Sequence, residues 1–206
     1  MLAHLVALLS PPRCLACSQP VGVGVAMCPD CRSELTWLAG GPRALGAGAW
    51  APVAFDGPAR ALVHALKFGG RTAAAGLMAA QIAANAPPGL LAGTLVPVPA
   101  HPARSRARGF DQGRLVARRL GRRTGRPVRD LLARRPGGRG PQVGAGRRER
   151  LGRDLGIVAR GRPGAGRLVL VDDVVTTGAT IAACRSALLA AGAEEVAAVA
   201  YARTLG

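Results

Sequence analysis

Aromatic side chains are scarce in this chain, at 3% of its 206 residues, with three Phe, two Trp and one Tyr. A core with so few rings must be filled by Ala, Val and Leu through many small contacts, a composition that favours helices packed on a sheet. No apolar run approaches the roughly 18 residues that a membrane span needs. The length suits one domain of ordinary size whose core needs no disulfides. We therefore expect one main domain and no membrane span.

A secretory signal is also missing from the sequence. The first residues, "MLAHLVALLSPPRC", have no basic segment, and His4 interrupts their short apolar stretch. They also offer no small-residue cleavage site. Together with the missing membrane span, this predicts a cytoplasmic protein.

Negative charge is in short supply, with 11 acidic residues against 28 basic ones and a formal net charge of +17. Lysine occurs once, as Lys67, whereas 20 of the 27 arginines lie between Arg104 and Arg167. Part of this basicity reflects a coding bias that turns generic positive positions into arginine. The remaining excess predicts an anionic partner such as phosphate, nucleic acid or lipid headgroups.

The end of the chain has the pattern of a βαβ unit. "RLVLVDD" is a continuous apolar run, typical of a parallel strand covered on both faces. "EVAAVAYAR" forms the next predicted strand. Between them a helix is predicted up to Gly192, with one apolar stripe made of Ile181, Cys184, Leu188 and Ala191.

An earlier strand, "TLVPVPA", precedes the helical pattern of "GRLVARRLGRR" and predicts a second such unit. We therefore expect an α/β fold with a parallel sheet. Residues 134–154 have no period and many Gly, Pro and Arg, so we expect a mobile surface loop there.

Four cysteines near the start have the spacing of a structural zinc site. Cys14 and Cys17 form one Cys-x-x-Cys pair, and Cys28 and Cys31 form another ten residues later. Each pair can act as a knuckle, and the two together complete a tetrahedral Cys₄ site. A reducing cytoplasm disfavours two disulfides, and a redox pair would need no second copy. We predict a zinc-binding segment over residues 1–40 and a main domain over 41–206, with Cys184 as a core residue.

Two adjacent carboxylates, Asp172 and Asp173, end the apolar run "LVLV" and precede the predicted turn into the last helix. The unpaired N–H groups and the dipole at a helix start favour a phosphate monoester, and threonine hydroxyls add donors. These donors are Thr176, Thr177 and Thr180. Carboxylates would repel a phosphate, so they suit sugar hydroxyls or a Mg²⁺ ion that accompanies a polyphosphate. A ribose 5-phosphate fits both halves.

The stretch "LVLVDDVVTTGAT" resembles the phosphoribosyl pyrophosphate (PRPP) motif of type I phosphoribosyltransferases. The resemblance implies that Asp172 and Asp173 meet the ribose hydroxyls. It further implies a 5-phosphate loop of Thr176, Thr177, Gly178, Ala179 and Thr180. Ala179 stands where many members have glycine, which removes some backbone freedom.

"VPVPAHPARSRARGFDQ" takes the earlier strand into a loop fixed by proline and then into a basic cluster. In a phosphoribosyltransferase the loop after this strand is where pyrophosphate lies, and the guanidinium fork matches phosphate oxygens. The candidates are Arg104, Arg106 and Arg108, with Arg108 beside the flexible Gly109 as the first choice.

The order of these segments resembles the ComF family, phosphoribosyltransferase-like proteins associated with DNA uptake in competent bacteria. The resemblance rests on the Cys₄ knuckle, "ALKFGGR", "VPVP" with "RGFDQ", "PQVGAGRRER" and the PRPP motif, and covers nearly the whole chain. Lys67 matches the family's "LK" before an aromatic and is a candidate for a phosphate contact, with a solvated helix end as the alternative. Asp111 stands where the family usually has Asn. A closing loop would use Arg147, Arg148 and Arg150.

The resemblance implies an enzyme that binds PRPP with Mg²⁺ and passes the phosphoribosyl group to a base nitrogen with release of pyrophosphate. The alternative is an accessory protein without catalysis that acts in DNA uptake through its basic face, because a fold does not determine an activity. His64 and His101 are expected at the surface, since this chemistry needs no imidazole base.

Overall fold

The computed structural model describes residues 11–38, 45–46, 48–135 and 155–205. Its strands are β1 Leu45–Gly46, β2 Ala49–Trp50, β3 Val53–Ala54, β4 Thr94–Pro97, β5 Leu132–Arg134, β6 Ile157–Ala159, β7 Arg167–Val175 and β8 Glu195–Arg203. Its helices are α1 Pro29–Ser33, α2 Gly57–Phe68, α3 Ala73–Asn85, α4 Pro102–Arg108, α5 Gln112–Thr124 and α6 Ala179–Ala190.

Strand β7 is an inner strand of a six-stranded, mostly parallel sheet, between the edge strand β4 and the central strand β8. It pairs in parallel with β4 on one side and with β8 on the other. Strand β8 pairs in parallel with both β2 and β3, and β1 is antiparallel to β2. Both flanks of β7 are thus hydrogen-bonded. Its sequence is a continuous apolar run because apolar layers cover both of its faces. The predicted α/β class with a largely parallel sheet is confirmed.

Side chains of β7 alternate between two apolar layers. Val169 and Val171 belong to the layer that α2, α3 and α5 cover, together with the cysteine segment. Leu168 and Leu170 belong to the opposite layer. The predicted stripe of α6 packs in that second layer through three fully buried residues, namely Ile181, Cys184 and Leu188.

Two glycines let helix α5 approach its neighbours closely. A Cβ atom at Gly113 would lie 2.9 Å from the carbonyl oxygen of Val98. One at Gly121 would lie 2.5 Å from a methyl carbon of Val128. A larger residue at Gly113 would have to move the helix away from the end of β4, and one at Gly121 would have to move it away from the segment that contains Val128.

Helix α4 corrects the expectation of a loop around Arg104, Arg106 and Arg108. Pro102 occupies the first turn, where its fixed φ and missing N–H cost nothing, and no glycine or β-branched residue follows until Gly109. Gly109 ends the helix with φ of 77°. The basic cluster therefore lies on a short helix.

Two predicted boundaries differ from the structure. Strand β7 continues through both aspartates to Val175, because Val174 and Val175 remain paired with β8. Strand β5 extends through Arg134, which pairs with Ile157 of β6, so the predicted loop begins too early. The rest of that loop, residues 136–154, lies outside the described residues. In the part of the chain that the structure describes, no helix is long and apolar enough to cross a membrane.

Candidate functional site

The four predicted cysteine ligands come together at one point. Their sulfur atoms all lie within 4.8 Å of one another, and Cys17 Sγ is 3.7 Å from Cys28 Sγ. Four sulfurs bound to one tetrahedral zinc at 2.3 Å would be about 3.8 Å apart. All four are free thiols. The cluster therefore has the size and the donor set of a structural zinc site.

Backbone amides around Cys14 favour its thiolate, the form that binds metal, whereas burial raises the pKa of the Cys31 thiol. Burial on its own would raise the pKa of the Cys14 thiol, but N–H groups of Cys17, Cys28 and Ala16 outweigh it and lower that pKa to about 6. The N–H of Cys28 donates to Cys14 Sγ at 3.4 Å. Pro29 begins α1 and lets the N–H of Cys31 turn back towards Cys28 Sγ at 3.5 Å. These are the local bonds of a metal knuckle.

The cysteine cluster is attached to the rest of the protein by core packing and by one arginine. Cys14 and Met27 belong to the same apolar layer as helices α2 and α3. Arg71, in the turn between those helices, donates to the carbonyl of Cys14 at 3.1 Å and to the hydroxyl of Ser18 at 2.9 Å. The conformation of the cysteine cluster and that of the turn after α2 therefore stabilise each other through Arg71.

A second site forms at the carboxyl ends of the parallel strands. Lys67 Nζ lies 2.6 Å from Asp173 Oδ2, and the side chain of Asp173 is 4% exposed. This unites two residues that the sequence singled out for separate reasons. Because Lys67 belongs to the last turn of α2, that helix lies close to the edge of the sheet where β7 ends.

Asp172 lies on the opposite face of the sheet from Asp173, because adjacent residues of a strand alternate. It is partly buried, and its Oδ1 accepts a hydrogen bond from the backbone N–H of Asp173 at 2.8 Å. Burial, followed by the negative charge of Asp173, raises the pKa of Asp172 well above its ordinary value. The predicted pair is thus two carboxylates in different environments. A cation or a hydroxyl donor would stabilise the ionised form of Asp172.

An open cleft of about 880 Å³ lies beside the Lys67–Asp173 ion pair. Its walls come from the ends of β3, α2 and α4, and its main side chains are Phe55, His64, Lys67, Phe68, Arg108 and Phe110. The guanidinium carbon of Arg108 lies 5.1 Å from the centre of the Phe68 ring, and its NH1 donates to Gln112 Oε1 at 3.0 Å. The cleft therefore combines two cations with aromatic surface.

The predicted phosphate loop is an exposed turn followed by α6. Gly178 has φ of 75°, a conformation that favours glycine, and it precedes the first helical residue, Ala179. The hydroxyl of Thr177 accepts from the N–H of Ala179 at 3.5 Å, and Thr176 is exposed. Since the left-handed position falls on Gly178, alanine at 179 adopts a helical conformation without strain. The turn leaves the first N–H groups of a 12-residue helix facing outward.

The remaining predicted residues contribute less to this arrangement. Arg104 lies on α4, but its side chain is outside the described part of the structure, as are Arg147, Arg148 and Arg150. Asp111 caps α5 by accepting from the N–H of Arg114 at 2.9 Å, and its other oxygen accepts from the N–H of Ala100 at 3.1 Å. An aspartate at this position therefore has a structural role of its own.

The aromatic lining of the cleft was not predicted from the sequence. Its members are Phe55, Phe68, Phe110 and His64, which come from three different segments of the chain. One signal could have found part of it. A rare aromatic, Phe68, follows the single lysine at the end of an amphipathic helix, although it is not part of the buried stripe of that helix.

Comparison with known families agrees with the metal cluster. Residues 5–45 match the double zinc ribbon domain. That stretch contains the four clustered cysteines, which suffice for one tetrahedral ion. No curated protein matches the chain. The match supports the predicted structural zinc at Cys14, Cys17, Cys28 and Cys31.

We expect one zinc ion per chain, measured by elemental analysis of the purified protein. Cys28→Ser should abolish binding, whereas Cys184→Ser should leave the zinc content unchanged because Cys184 lies on the buried face of α6, away from the cluster. Chelation should lower the melting temperature, since Cys14 belongs to the main apolar layer. Metal-free protein that melts at the same temperature would contradict this prediction.

The two aspartates should respond oppositely to replacement by asparagine. The raised pKa of Asp172 means that the folded protein holds this proton more tightly than the unfolded chain, whose pKa is about 3.9. Stability is therefore lost as the pH rises above that value. Asp172→Asn should melt above the parent at pH 8, and this advantage should vanish towards pH 4.

Asp173→Asn is the matched variant, because it removes the anionic partner of Lys67 from a buried position. We expect the free energy of unfolding to fall by about 1.5–3 kcal/mol at neutral pH. Thermal unfolding of both variants between pH 4 and pH 8 provides the test. Equal shifts of the same sign would show that the two carboxyl environments are alike.

Proposed function

We propose that this protein binds PRPP or a related phosphoribosyl ligand at the carboxyl edge of its sheet. The observation that carries the proposal is the Lys67–Asp173 ion pair, which borders the cleft and lies two residues before the end of β7. The exposed Thr-Thr-Gly turn follows on the same strand. Cationic, carboxylate and anion-binding groups thus lie near one edge of the sheet.

The turn is suited to the 5-phosphate of the ligand. The N–H of Ala179 donates to the Thr177 hydroxyl, but the other N–H groups of the first turn of α6 have no partner within the helix, and the helix dipole favours a negative charge there. Thr177 and Thr180 add hydroxyl donors within the same turn. In this proposal residues 176–180 hold the phosphate that anchors the sugar.

The carboxylates are suited to the ribose. Asp172 is partly buried with its ionised form disfavoured, so two hydroxyl donors or a divalent cation would stabilise it. Its hard oxygen atoms fit Mg²⁺, which would neutralise charge on the pyrophosphate group. Asp173 would exchange its bond to Lys67 for a bond to the sugar when the ligand arrives.

Lys67 and Arg108 are suited to pyrophosphate. Both side chains line the cleft, and both carry only donors. In the transfer reaction the bond from the anomeric carbon to pyrophosphate breaks and the leaving group keeps the electron pair. A base nitrogen forms the new bond and loses its proton to the departing pyrophosphate or to water. The two cations would stabilise the charge that grows on the leaving group. This assigns the chain the activity that its resemblance to the ComF family implies.

Mg²⁺-PRPP should raise the melting temperature of the protein, because a ligand at about 100 times its Kd adds roughly 2.7 kcal/mol. Asp172→Asn combined with Asp173→Asn should remove most of that rise. Thr177→Val should weaken the binding of ribose 5-phosphate as well, whereas Thr94→Val, at the start of β4, should not. No shift in the parent, or an undiminished shift in the double variant, would refute the proposed site.

A second candidate function is binding of DNA in an accessory role, and the surface of α5 favours it. Four exposed arginines form two rows along this helix, at Arg118, Arg119, Arg122 and Arg123. The rows lie on the opposite side from the buried Val116 and Leu120. Such a surface matches a phosphate backbone. The described cleft lies at the other end of the α4–α5 segment, beside Arg108.

Titration of labelled DNA at several salt concentrations separates the two candidates. We expect log K to fall by roughly 0.7–0.9 per contacted phosphate for each tenfold rise in salt, and binding to be weak at physiological salt. Arg118→Gln with Arg122→Gln should weaken DNA binding, whereas Arg108→Ala should mainly weaken PRPP binding. Tight binding at physiological salt that PRPP leaves unchanged would favour the accessory role.

A further inference from the structure

The cysteine segment, residues 11–38, is bonded to the chain on both sides of helix α2. Before the helix, the hydroxyl of Thr36 donates to Asp56 Oδ2 at 3.1 Å, and Asp56 is the residue that immediately precedes α2. After the helix, the side chain of Arg71 donates two hydrogen bonds to the same segment. The segment therefore contacts both ends of the helix whose last turn carries Lys67.

Arg71 joins the first cysteine knuckle to the end of α2. Its backbone N–H donates to the carbonyl of Ala65 at 3.1 Å, so the turn after α2 folds back on the last turn of the helix. Its guanidinium donates to the carbonyl of Cys14 and to the hydroxyl of Ser18. Lys67 lies between Ala65 and Arg71 in the chain. One residue thus contacts the knuckle with its side chain and the helix end with its backbone.

Ser18, which accepts one of these bonds, has a backbone conformation that needs support. Its φ is 66°, and it is the one non-glycine residue with a positive φ in the part of the chain that the structure describes. Such a conformation is strained for a residue with a Cβ atom and persists where its surroundings fix it. Ser18 directly follows Cys17, and its N–H donates to the carbonyl of Cys14 at 3.0 Å. A zinc ion bound by both cysteines would fix this turn and the acceptors that Arg71 uses.

The ion pair of Lys67 requires the end of α2 to be placed accurately. The side chain of Asp173 is 4% exposed, and Lys67 Nζ lies 2.6 Å from its Oδ2. The next three residues, 68–70, are exposed, so the chain is solvated immediately after the lysine. Helix ends of this kind fray unless other contacts hold them. The hydrogen bonds of Arg71 supply such contacts at this end.

We infer that the cysteine segment is a metal-dependent clamp on α2, and that Arg71 is the positioning residue through which zinc occupancy controls the Lys67–Asp173 ion pair. With zinc bound, the first knuckle presents its two acceptors and α2 stays in place. When zinc is removed, the turn at Ser18 relaxes and Arg71 loses its partners. Lys67 then exchanges Asp173 for water. The coupling is reciprocal, so the ion pair also strengthens zinc binding.

Nuclear magnetic resonance can follow the ion pair directly, because Lys67 is the single lysine of the chain. Protein labelled with ¹³C at the lysine Cε carbon gives one lysine signal, and Asp173→Asn marks the position of that signal for an unpaired lysine. Zinc-loaded Arg71→Met, which keeps an unbranched side chain but has no donors, should move the signal more than half of the way to that position. Removal of zinc from the parent should move it in the same direction.

Arg71→Met should also weaken zinc binding by about 5- to 150-fold, because the two hydrogen bonds to the knuckle are lost. Competition with a chelator measures this change. Ser18→Ala, which removes one acceptor and keeps Arg71, is the milder variant. It should move the lysine signal in the same direction by a smaller amount. If Arg71→Met does not fold, the signal of Ser18→Ala decides, and the parent position would overturn the inference.

Arg185→Met is the matched control. The guanidinium of Arg185 also donates two hydrogen bonds, to the carbonyls of Val196 at 3.1 Å and Gly48 at 3.0 Å, but it belongs to α6, which packs on the other face of the sheet. This variant should change neither the lysine signal nor the zinc affinity.

Arg71→Met protein that melts at a lower temperature yet keeps the parent lysine signal would reduce Arg71 to a structural contact and overturn the inference. An unchanged zinc affinity, or coincident signals of the parent and Asp173→Asn, would do the same. The inference goes beyond the proposed function, because the ion pair joins two residues of the chain itself. These measurements use no phosphoribosyl ligand, so their failure leaves the proposed function to its own test.

Discussion

The alternation of side chains along β7 is the constraint on which the candidate site depends. Its backbone is hydrogen-bonded to a neighbour on each side, and successive side chains point to opposite faces of the sheet. Val171 and Asp173 therefore face α2 and α5, and Leu170 and Asp172 face α6. The aspartates are neighbours in sequence, yet only one of them can reach Lys67. A difference in chemistry between two identical residues follows from the pleat alone.

The cysteine segment presents a different problem, that of ordering a short stretch, residues 11–38, whose one described helix is the five-residue α1. Val23 and Val25 are exposed, whereas Cys14 and Met27 are buried, and a metal ion held by the sulfur cluster would organise the segment. Leu35 and Leu38 continue into the main apolar layer, and the N–H of Leu38 donates to the carbonyl of Pro52 at 2.7 Å. The segment is thus joined to the sheet at β3, next to the cleft.

How far the sequence predicts this molecule depends on the range of each signal. The apolar run at 168–171, the stripe of α6 and the two cysteine pairs are local patterns, and the structure follows them closely. Helix α4 was missed because its arginines resembled a loop of generic charge, although Pro102 and Gly109 mark its two ends. The aromatic cleft was missed because its rings converge only in three dimensions. The zinc ligands could be predicted from their spacing. The pairing of Lys67 with Asp173 could not, because it depends on where the end of α2 lies relative to β7 in the folded protein.

Gly113 of α5 affects the wall of the cleft that contains Arg108. Gly113 sets how near the helix comes to the backbone of Val98, and the residue before it, Gln112, receives the hydrogen bond from Arg108. The position of that guanidinium thus depends on the close contact between α5 and Val98, because a methyl group at residue 113 would displace the start of the helix. A substitution at Gly113 would therefore shift Gln112 and, with it, the Arg108 guanidinium, although residue 113 does not line the cleft.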